Sequence, residues 1–185
     1  MSSQTKLANQ TADGAITQLH PTEARWFAVY TEYKREKLVA KHLRAKGIEV
    51  YLPLQKKTRR YTRKVRQVEL PLINCYIFAK IITAQYIPVL ETEHVLWFLK
   101  QRRDLLMVRE EEIELMKMVI GERDVLLEPG KFSEGQLVEI IGGELTGLRG
   151  YYVSTQSKKE IVIELTDIGY LLRMTVDPKN IRRVT

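Results

Sequence analysis

The stretch KKTRRYTRKVR, residues 56–66, sets seven cations in eleven positions (Lys56, Lys57, Arg59, Arg60, Arg63, Lys64 and Arg66) with no acid among them. Guanidinium and ammonium groups at that density suit a polyanion, because each makes charge-assisted hydrogen bonds to phosphate oxygens. Tyr61 adds a ring on which an unpaired base can stack. A solvated surface loop would also accommodate such a run. Bond-making chemistry has no comparable support. His20, His42 and His94 are far apart and lack metal-ligand spacing. Cys75 lies among apolar residues and reads as a small buried hydrophobe. Glu110, Glu111, Glu112 and Glu114 read as the solvated start of a helix, where the macrodipole favours acids. In GGELTGLRG, Gly142 and Gly147 have the separation of a phosphate loop, but Leu148 and Arg149 stand where that loop needs Lys and Ser or Thr. The expectation is a protein that is not an enzyme and carries no cofactor or metal.

The elements that must position the basic run follow from composition and periodicity. The chain has 185 residues, 44% hydrophobic, enough for one ordinary domain or two small ones with a globular core. No apolar run approaches the ~20 residues of a membrane span, and the polar start MSSQTKLANQTADGAITQLHPTEA has no apolar block resembling a secretion signal. One cysteine fits a reducing cytoplasm, so a cytoplasmic protein without a membrane partner is expected. The net charge of +7 is unevenly spread. Residues 24–120 hold 20 Lys and Arg against 11 Asp and Glu, whereas 132–185 hold 7 of each. A basic half and a neutral half imply two surfaces with different partners.

Residues 1–23 lack periodicity and read as a flexible tail. RWFAVYT (25–31) has strand composition, and YKREKLVAKHLRAKG has helical spacing, with Leu38, Val39, His42 and Leu43 on one side and Gly47 as its stop. IEVYLPLQ (48–55) alternates as a strand, and Val68, Leu70 and Leu72 alternate beyond the basic run. The run is therefore expected on the arm and tip of a long hairpin. CYIFAKII and HVLWFLK read as strands, TAQYIPVLETE as a short helical connection limited by Pro88, and REEEIELMKMVIG as a helix burying Ile113, Met116 and Ile120. GERDVLLEPGK (121–131) reads as a linker. After it QLVEII, RGYYVST, EIVIEL, GYLLRMTV and IRRVT suggest a small five-stranded barrel over 132–185.

Two motifs carry a family resemblance. EGQLVEIIGGELTGLRGYYV (134–153) resembles the KOW motif of small β-barrels. RWFAVYTEYKREKLVAKHLRAKGIEVYLPL resembles the opening of the NusG N-terminal (NGN) domain, through the strand Trp26–Tyr30, then Glu36, Ala40 and Leu43, then Tyr51-Leu52-Pro53. LPLINCYIFAKI falls at that family's strand entry, and DPKNIRRV resembles its last barrel strand. The chain thus resembles the NusG family of transcription factors over 25–185 except the linker. The resemblance implies an α+β architecture, an NGN α/β sandwich with an antiparallel sheet at 24–120 followed by an SH3-like KOW barrel. Three features depart from the family pattern: Lys34 where Gly is usual, Ile73-Asn74-Cys75 in place of an aromatic-Pro-Gly/Asn triplet, and the long basic insertion. They point to its specialised paralogs, RfaH and the capsular-polysaccharide operon antiterminators.

From this resemblance follow partners and residues. Tyr30, Ile73, Tyr76 and Phe98 match positions that dock on the clamp helices of the largest RNA polymerase subunit, with Tyr30 and Ile73 expected to surface at strand ends. Tyr33, Lys34, Arg35, Lys37 and His42, with the basic run and Tyr61, are expected to meet non-template or upstream DNA and to favour elongation over pausing and termination. Ile168 beside Gly169 matches the position through which the barrel binds a small-subunit ribosomal protein or Rho. The β-rich second half is expected to hold its barrel fold, and the protein to be a monomer. The competing reading is a KOW-containing RNA-binding protein of ribosome assembly or translation.

Overall fold

The computed structural model describes residues 18–61, 64–101, 104–120, 125–130, 135–143, 145–154 and 159–184, with backbone alone at 59–61, 64 and 101. Chain contacts divide it into two compact units, Met1–Ile113 and Glu114–Thr185.

In the first unit the apolar run RWFAVYT forms β1 (Arg25–Thr31), buried from Trp26 to Val29. The helical repeat forms α1 (Glu36–Ala45), which buries Glu36, Val39, Ala40 and Leu43 and leaves Leu38 and His42 half-buried. The chain leaves it through Gly47 at φ +74, a left-handed turn that costs glycine little. The single strand expected over 48–55 is two. β2 (Glu49–Tyr51) ends before Pro53, which has no N–H to continue a ladder, and β3 (Leu54–Tyr61) starts after it. β4 (Lys64–Pro71) pairs with β3 from Leu54↔Pro71 to Tyr61↔Lys64, forming a two-stranded ribbon. β5 (Tyr76–Ile81), a 3-10 turn at Thr83–Gln85, α2 (Tyr86–Leu90) and β6 (Val95–Phe98) follow. A two-residue pairing of β7 (Lys100–Gln101) with β8 (Asp104–Leu105) precedes β9 (Met107–Val108), and α3 (Glu110–Val119) follows, with the division between the units falling inside it at Ile113/Glu114. Ile113, Met116 and Val119 are the buried face of α3, with Ile120 half-buried beyond its end.

The main sheet is antiparallel in the order β2-β5-β1-β6, with β9 also on β1. Phe27, Val29, Ile77, Ala79 and Ile81 join Val39, Ala40 and Leu43 of α1, Val89 of α2 and Phe98 in one core. Period-two alternation on β1 and β5 meets the helical stripe of α1, so both patterns are satisfied by one contact. Leu19, inside the stretch expected to be a tail, is 4% exposed and belongs to this core. The His20 carbonyl accepts from Thr83 N–H at 3.0 Å, so residues 18–20 are part of the unit.

The second unit contains β10 (Val125–Pro129), β11 (Gln136–Ile140), β12 (Arg149–Ser154), β13 (Lys159–Leu165), β14 (Tyr170–Thr175) and, after a 3-10 turn at Pro178–Asn180, β15 (Ile181–Arg183). They form one antiparallel sheet ordered β10-β14-β13-β12-β11-β15, the SH3-like component of an α+β protein. Five strands were expected and six are described. The extra strand, β10, lies in the stretch expected to be a linker. Val125 and Leu127 pair with Met174 and Leu172, and burial of Val125 makes strand pairing more favourable than the Gly and Pro at its borders suggested. Gly143 and Gly147, at φ +85 and +92, turn the chain between β11 and β12.

Gly150 in β12 has no room for a side chain: a Cβ there would meet Ile161 Cγ2 at 2.6 Å, Ile163 Cγ1 at 2.8 Å and the Val162 carbonyl at 2.9 Å. Gly150→Val should destabilise the second unit by about 1–3 kcal/mol, the usual range for overpacking, and lower its urea midpoint. An unchanged midpoint would show that β12 shifts freely.

Candidate functional site

Three residues other than glycine have left-handed backbones among the described residues, Lys34 (φ +63), Cys75 (φ +64) and His94 (φ +68). All three sit around one end of the main sheet. Thr31 N–H donates to the Cys75 carbonyl at 2.8 Å, and Glu32 N–H to the His94 carbonyl at 3.0 Å. Cys75 N–H donates to Glu36 Oε1 at 2.8 Å, which gives this buried carboxylate at the start of α1 a partner. His94 Nδ1 lies 2.9 Å from Glu32 Oε2, and its Nε2 3.4 Å from Glu93 Oε1. Each left-handed L-residue costs about 1–2 kcal/mol. Such strain persists where surrounding bonds over-determine the backbone, a pattern common at functional sites. Lys34 and Cys75 are also two of the positions that depart from the family pattern, and the geometry explains why glycine would suit them.

Beside this strained rim runs a row of aromatic rings. Register pairs Tyr30 with Tyr76 on β5 and with Trp97 on β6. The Tyr30 and Tyr76 rings meet edge to face at 4.9 Å, and the Tyr30 and Trp97 rings stack at 4.7 Å and 14°. Trp97 is 51% exposed and its neighbour Leu96 is 42% exposed, while Tyr30 and Tyr76 are half-buried. An exposed Trp stacked on Tyr30, itself braced edge-on by Tyr76, is a rigid apolar surface of the kind that anchors protein interfaces. Charge on the Cys75 sulfur, then burial, then a hydrogen bond with Cys75 raise the Tyr30 phenol above its usual range.

Two of the four docking residues expected here are buried. Phe98 is 1% exposed, edge-on to Phe27 at 6.3 Å and stacked on Tyr86 at 5.1 Å, so it is core. Ile73, expected to surface, is 3% exposed. Trp97 was not anticipated. HVLWFLK alternates either way, and only the register of β6 against β1 places Trp97 beside Tyr30 and turns Phe98 inward.

Around α1, Tyr33 is 63% exposed, with Lys34 Nζ 4.9 Å from its ring centroid. Arg35 and Lys37 are exposed, and Lys37 Nζ reaches Glu69 Oε2 of β4 at 3.2 Å. Lys56, Lys57 and Arg66 on the ribbon are exposed. The side chains of Arg59, Arg60, Tyr61 and Lys64, and the whole of Arg63, lie outside the described residues. Elsewhere in the first unit, the groove between Arg25 and Arg109 is internally paired: Arg25 meets Glu23 at 2.9 Å, and Glu110 Oε2 accepts from Trp26 Nε1 at 3.0 Å and Lys80 Nζ at 2.9 Å. No group of three His, Cys, Asp or Glu that could hold a metal occurs among the described residues. In the second unit Ile168 is half-buried in the turn joining β13 to β14, and Gly169 has φ +70.

Comparison with known proteins assigns the class. Residues 24–117 match the family model described as NusG, transcription termination factor nusG, so the chain belongs to the NusG family of transcription factors. Its fold is similar to that of Thermotoga maritima NusG, described under domain interaction, at 18% identity and a TM-score of 0.54, covering 88% of this chain and 98% of that one. The MjSpt4:Spt5 complex also matches, in conformation A (16% identity, TM-score 0.29, 86% and 98% covered) and conformation B (19%, 0.30, 86% and 97%). No curated protein matches in sequence. No helix among the described residues is long and apolar enough to cross a membrane.

Lys34→Gly removes about 1–2 kcal/mol of left-handed strain against about 0.5–1 kcal/mol of added chain entropy. A gain of up to about 1.5 kcal/mol in urea unfolding follows, and a loss would place Lys34 in an interaction that outweighs its backbone cost. Because the Tyr30 phenol is raised above its ordinary value, its contribution to stability is full below that ordinary value and lost as pH rises through the higher folded one. Ultraviolet titration of Tyr30→Phe should therefore lack a phenol that ionises above the ordinary range.

Proposed function

We propose that this protein is an elongation and antitermination factor of operon-specific type, which docks on RNA polymerase through the row Tyr76–Tyr30–Trp97 and touches nucleic acid through α1 and the β3–β4 ribbon. The observation that carries this reading is the stacked Trp97, half-exposed at the end of a sheet whose family match covers 24–117. The occupant of that surface is the pair of clamp helices of the largest subunit. Tyr33, Lys34, Arg35, Lys37 and His42, with the basic run, then lie on the side given to non-template or upstream DNA. Phosphate contacts of this kind supply affinity without sequence choice. Docking over the cleft favours the closed, forward-translocated state and suppresses pausing, with no bond made or broken by the factor.

The long basic ribbon and the strained Lys34 and Cys75 support the operon-specific assignment, since the resemblance reads glycine or asparagine at such positions in the general factor. Residues 132–185 with β10 added, inside the second unit, are the KOW module. Ile168 beside Gly169 is its contact for a small-subunit ribosomal protein or Rho.

Pull-down with core RNA polymerase tests the docking surface. Trp97→Ala and Tyr30→Ala should each weaken capture at least tenfold, about 1.4 kcal/mol. Gln substitution of Arg59, Arg60, Arg63 and Lys64 should leave capture intact and reduce pause suppression. Failure of the intact protein to bind polymerase, with retained binding to ribosomal RNA, would favour a role in ribosome assembly or translation instead.

A further inference from the structure

The β3–β4 register divides the basic run between two unlike faces. In an antiparallel pair, directly opposed residues lie on the same face, and the faces alternate along the strand. One face takes the pairs Gln55↔Leu70, Lys57↔Val68, Arg59↔Arg66 and Tyr61↔Lys64. The other takes Leu54↔Pro71, Lys56↔Glu69, Thr58↔Gln67 and Arg60↔Val65. The first face has four cation positions, no acid, and the one aromatic of the run. The second has Lys56 and Arg60 with the acid Glu69, which also accepts from Lys37 of α1. Charge that looks uniform in sequence is therefore concentrated on one side and partly cancelled on the other.

Two physical arguments give the cationic face a ligand. Like charges directly opposite in a ladder are destabilising, and Arg59↔Arg66 is such a pair, with no acid at the adjacent positions of its face. Protection of an exposed edge from aggregation would be met by lysines on either face and does not call for opposed arginines. An anion between the strands turns that repulsion into attraction. Spacing agrees, because same-face positions two residues apart are about 6.6–6.8 Å apart, twice the ~3.4 Å rise per phosphate along a nucleic-acid strand.

Building on the function proposed above, we infer that the Lys57–Arg59–Arg66–Lys64 face of the ribbon is a one-sided phosphate-binding surface. It takes the backbone of a nucleic acid, and the Lys56–Arg60 face does not. The ribbon then binds in one orientation, with its Glu69 side held toward α1 by Lys37.

Two variants that remove equal charge test this in the full chain. Lys57→Gln with Arg66→Gln removes two of the four cations of the cationic face, and Lys56→Gln with Arg60→Gln removes both cations of the other. Each is titrated against a labelled DNA duplex, the corresponding DNA single strand and an RNA hairpin over a range of salt. The first variant should weaken binding about tenfold at moderate salt on the preferred nucleic acid. Its log K against log salt slope should fall by about 1.4 for a single strand or 1.8 for a duplex, two contacts at about 0.7 or 0.9 each. The second variant should change affinity less than threefold. Equal losses in both would overturn the inference and return the run to an unspecific charge cloud. A measurement on the unaltered protein guards against misfolded variants: bound nucleic acid should protect Lys57 from acetylation at least fivefold more than its neighbour Lys56. Equal protection of the two would also overturn it. If the unaltered protein binds none of the three nucleic acids, the reading of the whole basic surface fails rather than its division between faces.

Discussion

Strand β1 bonds to β5 on one side and to β6 and β9 on the other, and much of the first unit is positioned by that pairing. Its inward residues Phe27 and Val29 fix where α1 can pack, because α1 has one apolar stripe to bury. Its Tyr30 is the middle ring of the aromatic row, so the spacing of Tyr76 and Trp97 is set by ladder register and not by loop conformation. Where β1 ends, the N–H groups of Thr31 and Glu32 find their acceptors at the carbonyls of Cys75 and His94, both of which have left-handed backbones. The strain at that rim is what it costs to hold three strand ends and the start of α1 in one arrangement.

Glu36 shows how tightly that arrangement is built. A carboxylate 3% exposed would be expensive without partners, yet it accepts the Cys75 N–H and sits in the first turn of α1, where the helix dipole favours negative charge. Through it the residues just before and within α1, Tyr33 to Lys37, are coupled to the strand entry that carries Tyr76. The aromatic and cationic surfaces of the first unit therefore share one piece of backbone framework.

Much of this architecture was legible in the sequence, because period-two and period-3.6 patterns report burial directly. The α1 stripe, the ribbon flanks and the short strands of the second unit follow that rule, and RWFAVYT was legible from its aromatic and β-branched composition. What was not legible depends on contacts between segments distant in sequence. Leu19 has no periodic neighbours, and its burial comes from a core assembled by α1, β1 and β5. Val125–Pro129 looked like a linker because Gly and Pro bracket it, and only β14 supplies the partner that makes it a strand. That Trp97 is exposed and Phe98 buried follows from the pairs Tyr30↔Trp97 and Val29↔Phe98, a register between distant strands that no local pattern encodes. Lys34 and Cys75 could be recognised as departures from a glycine pattern, but the reason, a positive φ, is a property of the folded chain.

The β3–β4 ribbon is held by its own ladder and, at its base, by the Leu72 N–H donated to the Pro53 carbonyl at 2.7 Å. Among the described strands it joins no wider sheet, so neighbouring strands place no limit on how far it extends. Parity does. Adding one residue within a strand exchanges its two sides, whereas adding one residue to each strand at the tip lengthens the arm and leaves every existing pair in place. Arm length can therefore drift in matched steps while handedness of charge is conserved. Reach and polarity are thus separately adjustable properties of this protein.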